Sequence, residues 1–173
     1  MPSFRQPFLH DLVCVLAAPT QAWSAADGDI APDRTGRGAQ GVLHADVRLL
    51  SRVEVVVDGA PGEHIATQVA GQQVTFVALL RHVGADRAGT PDAQVRLDRV
   101  RRIAPGRVVE ELTISSRLPV AVDVELAVRF GTDLMGIELV KAGRASTPQP
   151  FPAAGDGPVT WGDDALTGTL DAP

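Results

Sequence analysis

From residue 120 to 130 the chain reads VAVDVELAVRF, in which Val120, Val122, Val124, Leu126, Val128 and Phe130 alternate with Ala121, Asp123, Glu125, Ala127 and Arg129. A period of two is that of a β-strand with one buried face, so the whole stretch is predicted to be one long strand. Shorter runs repeat the pattern. Val53, Val55 and Val57 precede Asp58-Gly59; Ile65, Thr67 and Val69 precede Gly71; VTFVALLRHV follows at residues 74–83. Turn formers at those intervals predict a meander. Residues 94–104 and 107–118 flank Pro105-Gly106, a dipeptide that preorganises a turn, and are predicted to form a hairpin. In the tail, VTW and ALTGTL predict one or two short edge strands.

No window of a dozen residues keeps apolar side chains at helical spacing without Gly, Pro or a β-branched run interrupting it. The predicted fold is therefore all-β: an antiparallel two-sheet β-sandwich with little or no helix, occupying residues 1–173 as one domain. A closed barrel is the alternative. Residues 31–41 and 143–158, dense in Gly and Pro, are predicted to be irregular.

Composition narrows the class. In 173 residues, 45% are hydrophobic and 21% charged, the balance of a packed globular protein. The net charge of −5 argues against nucleic acid or an anionic membrane as partner. Lys141 is the only lysine among the 16 basic residues. Cys14 is the only cysteine, so no intramolecular disulfide forms and a reducing, cytoplasmic location is expected. It lies in the apolar run LVCVLAA, where a buried hydrophobe is expected rather than a nucleophile. That run follows Arg5 and faintly resembles a signal peptide, but it is short and His10 and Asp11 interrupt its front. No apolar stretch is long enough to span a bilayer.

Several motifs reduce to bland readings. GRGAQG at 36–41 has the spacing of a dinucleotide loop but neither the preceding strand nor the following helix that its chemistry needs. ADGDI at 26–30 places Asp27 and Asp29 as calcium-loop ligands would be, yet Ala31 stands at the third ligand position and no glutamate closes the loop; a turn through Asp27-Gly28 is expected. Asp46, Asp133, Glu138, Asp163 and Asp164 are eligible for a glycosidase carboxylate pair, which spacing alone cannot assemble. His10, His44, His64 and His82 are too dispersed for a metal motif, and no G-x-S-x-G elbow exists. No metal and no cofactor is expected. Arg96, Arg99, Arg101, Arg102 and Arg107 are expected to pair with Glu110 and Glu111 across the hairpin. The chain lacks tyrosine, and Trp23 and Trp161 are both candidates for the core.

Three segments, SAADGDI at 24–30, GVLHADVRLLSRVEVVVDG at 41–59 and SSRLPVAVDVELAVRFGTDLMGIELVKAG at 115–143, follow one another in an order and spacing that carry a resemblance. The chain resembles the N-terminal domain of bacterial glycogen debranching enzymes of the amylo-alpha-1,6-glucosidase type. The shared features are a G-D-I turn, a D-T-R-x-L-S segment running into a strand, and a late D-x-x-x-x-E-V element. Val47 stands in place of the usual threonine, Leu43-His44 where an aromatic is common, and Gly136 where an acid is common.

The resemblance implies a non-catalytic, accessory or interdomain piece of a glycoside hydrolase. Its partner is then the helical-toroid catalytic domain of the same enzyme, and no catalytic residue carries over. The alternative is a carbohydrate-binding domain that takes alpha-glucan by itself. The interdomain or glucan-contact candidates are Asp27, Asp29, Asp46, Arg48, Arg52, Asp133 and Glu138, and an oligomer is compatible with the reading. Asp46 and Arg48, two apart on a strand, leave the same face. Arg48 is expected to make a bidentate bond with Asp46 or with a later acid such as Asp133.

Overall fold

The computed structural model describes residues 9–33, 36–84, 92–152, 157–162 and 166–171. It is all-β with antiparallel sheets, as expected, and consistent with a sandwich. The first sheet follows chain order: β1 (Val13–Ala17), β2 (Thr20–Ser24), β3 (Gly41–His44) and β4 (Val47–Leu50). The second is also a meander, β6 (Glu63–Ala70), β7 (Gln73–Leu79), β8 (Val95–Ala104) and β9 (Arg107–Ser116). Between them in sequence, β5 (Arg52–Val57) pairs with β10 (Leu126–Gly131). A single helical turn, α1 (Ile137–Lys141), precedes the hairpin of β11 (Val159–Gly162) and β12 (Thr167–Leu170).

The expected hairpin forms around Pro105-Gly106, with Ala104 opposite Arg107 and Gly106 at φ 71°, a backbone conformation that favours glycine. The run LVCVLAA becomes β1; Cys14 is half-buried there, and burial pushes its thiol up, away from the reactive thiolate.

Two expectations fail. The alternation at 120–130 does not form one strand, because β10 starts only at Leu126. Its partner β5 ends opposite, at Val57, and turns at Asp58-Gly59, so residues 120–125 have no ladder to join. Asp58 closes the end instead: its N–H donates to the Glu125 carbonyl at 2.8 Å and its carboxylate accepts from the Glu125 N–H at 2.8 Å. Val122 and Val124 still pack on the core, so the alternation reported burial and not pairing. The meander is also shorter than expected. After the Val57–Ala60 bridge, Pro61 offers no N–H to continue a ladder, and the chain enters the other sheet at Glu63.

Two apolar clusters fill the interior. One joins Val15, Ala17 and Ala22 of β1 and β2 to Val74, Phe76 and Ile103 of the β6–β9 sheet; the other joins Val55 and Val57 of β5 to Leu80, Val95 and Leu97. The inward row of β8 reads Val95, Leu97, Arg99, Arg101, Ile103, and all five are buried. Two guanidinium groups therefore lie between the apolar clusters. Neither tryptophan is fully buried. Trp23 and Trp161 are half-buried; Trp161 packs on Phe151 with ring centroids 4.9 Å apart, and Phe151 stacks at 6.1 Å on Phe130, which borders the first cluster.

Candidate functional site

Arg48 lies on β4, and its side chain is 2% exposed against 1% for Asp133, which follows β10. Its Nε donates to Asp133 Oδ1 at 3.1 Å and its Nη2 to Oδ2 at 2.5 Å, a two-bond fork. Nη1 donates to the carbonyls of Gly38 (2.9 Å) and Gln40 (3.1 Å), and Nη2 also reaches Met135 Sδ at 3.8 Å. Those contacts engage all five donors of the guanidinium. The glycine pattern at 36–41 thus turns carbonyls toward a cation, the reverse of the amide cradle that holds a phosphate. Gly41 allows the approach: a Cβ there would lie 2.4 Å from Arg48 Cδ.

The fork also fixes the backbone around it. The Arg48 N–H donates to the Met135 carbonyl at 2.9 Å and the Ile137 N–H to the Asp46 carbonyl at 2.7 Å, so the segment holding Asp133 and Glu138 runs beside β4. Asp133 Oδ1 accepts the Met135 N–H as well (3.2 Å), across Leu134 at φ 48°. Val47 and Gly136, two positions that depart from the resembled pattern, face each other in an isolated bridge. The two irregular segments meet here too, through the Ser146 N–H and the Gly36 carbonyl at 2.8 Å.

A second cluster occupies the middle of the core. Arg99 donates from Nε to Glu110 Oε2 (2.6 Å) and from Nη1 to Asp29 Oδ1 (2.7 Å). Arg101 pairs with the other Glu110 oxygen, and its Nη2 donates to the Gly28 carbonyl at 2.7 Å. Both guanidiniums stand over the Phe76 ring, 5.9 and 5.4 Å from its centroid. Gly28 at φ 91° carries the turn, and a Cβ there would strike Phe76 at 2.6 Å. Arg99 Nη2 is buried without an acceptor among the described residues.

The charges in this cluster perturb one another. Burial lifts the Asp29 carboxyl above the usual aspartate range, and the attraction of Arg99 only partly offsets that. Burial acts in the same direction on Glu110, but the charges of Arg101 and Arg99 outweigh it and hold Glu110 below its ordinary value. Burial lowers Arg101, whereas Glu110 and then Asp29 outweigh it at Arg99 and raise that group.

Of the residues singled out from sequence, the structure brings Arg48, Asp133, Asp46 and Glu138 into one neighbourhood. Arg48 bonds Asp133, not Asp46, whose side chain is exposed. Glu138 is 84% exposed and pairs with Lys141 at 3.2 Å. Arg52 is about half exposed and pairs with Glu54 at 3.2 Å. Asp27 and Asp29 fall in the other neighbourhood, where Asp27 Oδ1 accepts the Asp29 N–H at 2.9 Å and closes the turn. Asp163 and Asp164 lie outside the described residues.

The expected charge pairing across the hairpin forms for Arg99, Arg101 and Arg102, the last with Glu111 at 2.7 Å. Arg96 departs from it by pairing with Asp98 on its own strand. Each histidine has a separate partner: Asp11 for His10, Thr20 for His44, Thr67 for His64 and the Val57 carbonyl for His82. Among the described residues no group of three His, Cys, Asp or Glu could hold a metal, and no helix is long and apolar enough to cross a membrane.

The fork that orders the segment after β10 and the turn pinned to β8 draw on the three segments that carry the resemblance. Residues 15–173 match the family described as the N-terminal domain of (some) glycogen debranching enzymes. The chain belongs to that family. No curated protein and no solved structure gives a significant match. In this debranching-enzyme domain the motif residues Arg48 and Asp133 face inward, so their side chains bind each other and not a partner at the surface. Arg99 and Arg101 form a second buried pair on the partly exposed Glu110; the pairing is expected from the sequence and its burial is not, although period two along β8 marks both arginines as inward.

Proposed function

We propose that this chain is the non-catalytic accessory and interdomain part of a glycogen debranching glycoside hydrolase of the alpha-1,6-glucosidase type. Its partner is a helical-toroid catalytic domain in the same enzyme. The observation that carries the reading is the family match over residues 15–173. The placement of Asp133 supports it. Asp133 spends both carboxylate oxygens on Arg48, whereas a glycosidase acid must face a sugar across a cleft. The exposed motif residues left to meet a partner are Asp27, Asp46, Arg52 and Glu138, with Asp46 and Glu138 on adjoining segments. The half-buried, unpaired Cys14 is compatible with a cytoplasmic location.

The test is hydrolysis by the purified chain. Glycogen incubated with it is expected to release no glucose, and a catalytic domain supplied in trans is expected to bind it. Binding should weaken with Asp46→Lys combined with Glu138→Lys. Glucose release by this polypeptide alone would overturn the reading.

A second reading, that the domain binds alpha-glucan itself, is favoured by an open groove of about 500 Å³ on the outer face of the β6–β9 sheet.

A further inference from the structure

That groove lies on the side of the sheet away from the two buried clusters. Ile65, about half exposed, and Leu79 give it an apolar floor. Gln94, Arg96, Asp98 and Arg117 surround the floor with planar polar groups, and Ser115 adds a hydroxyl. Arg96 and Asp98 belong to the outward row of β8, and Arg96 Nε donates to Asp98 Oδ1 at 3.0 Å, so both are already oriented. The side chain of Arg117 has no hydrogen-bond or ion-pair partner among the described residues, while its N–H is fixed to the Gln94 carbonyl at 2.8 Å.

We propose that this groove is a subsite for a short stretch of alpha-glucan, an inference that rests on the second reading above. A pyranose ring presents an apolar C–H face and a rim of hydroxyls, each both donor and acceptor. The groove offers a matching set: an apolar floor, a carboxylate and an amide oxygen to accept, and guanidinium and amide N–H groups to donate. Guanidiniums alone would not accept from a hydroxyl, and the Asp98 carboxylate supplies that acceptor. With no aromatic ring among the lining residues, the stacking that tightens sugar binding is missing, and the expected dissociation constant is on the order of millimolar.

The experiment titrates maltoheptaose into the whole chain labelled with ¹⁵N, followed by ¹H–¹⁵N spectra to about 20 mM sugar, well past a millimolar constant. Saturable shifts are expected at the amides of Ile65, Leu79, residues 94–98 and residues 115–117. Arg117→Ala and Asp98→Asn are each expected to weaken binding at least about fivefold with an unchanged melting temperature. Two variants of different chemistry guard against one that misfolds. Shifts centred elsewhere, for example on Phe151 and Trp161, or an affinity that both variants leave intact, would overturn the groove while preserving sugar binding as such. The absence of any saturable shift would overturn the groove and the second reading together, leaving the accessory reading in place.

Discussion

Arg48 and Arg101 are hidden from water to the same degree, at 2% and 1% exposed, yet they are held in different ways. Arg48 has a carboxylate that no other cation among the described residues shares, two backbone carbonyls and a sulfur, contributed by the loop before β3 and the segment after β10. Arg101 shares Glu110 with Arg99, and that shared carboxylate is 23% exposed. The first arrangement is a closed knot tying distant parts of the chain together. The second is a band of charge between two apolar clusters, open to solvent at one side and leaving Arg99 Nη2 without an acceptor among the described residues. A buried ion pair gains from its partner only what exceeds the desolvation of both groups, so completeness of bonding matters more than the number of charges.

If that contrast is right, Asp133→Asn is the most damaging single change. It leaves the Arg48 guanidinium buried without a counter-charge and is expected to cost about 3–5 kcal/mol in urea unfolding. Glu110→Gln takes an ionic partner from two arginines at once, but it acts where water reaches and leaves Arg99 its pair with Asp29, and it is expected to cost about 2 kcal/mol. Should Glu110→Gln prove the worse of the two, the count of partners would outrank enclosure.

The pH dependence sharpens the contrast. Glu110 is held below its ordinary value of about 4.3, so its contribution is present above that pH and is lost as pH falls through the lower folded value. Asp29 is lifted above its ordinary value of about 3.9, so its contribution is present below that pH and is lost as pH rises through the higher folded value. Unfolding free energies between pH 3 and 7 are expected to fall less steeply in acid for Glu110→Gln. Asp29→Asn is expected to remove an opposing loss of stability as pH rises above about 4. The smallest effect belongs to Arg52→Ala, whose half-exposed pair with Glu54 is expected to change stability by less than about 1 kcal/mol in thermal melts.

The strands were legible in the sequence because one-sided burial writes a period of two, and Pro105-Gly106 announced its hairpin through the geometry of its own residues. The same period misled at 120–125: Val122 and Val124 are partly buried by packing, while ladder pairing depends on where β5 ends. Within the site, Arg48 and its acid are 85 residues apart, and a residue pattern alone left Asp46 and Asp133 as equal partners. The carbonyls of Gly38 and Gln40 were illegible altogether, since a backbone acceptor has no residue type. Arg99 and Arg101 were readable as inward from their parity with Leu97 and Ile103, since period two gives all four the same face.

The most direct test is a double-mutant cycle on Arg48 and Asp133, using Arg48→Met, Asp133→Leu and the double variant in urea unfolding. If the fork is the knot that organises this domain, each single variant is strongly destabilised, the double variant recovers much of the loss, and the coupling energy reaches at least about 2 kcal/mol. Additive losses, with a coupling near zero, would contradict it.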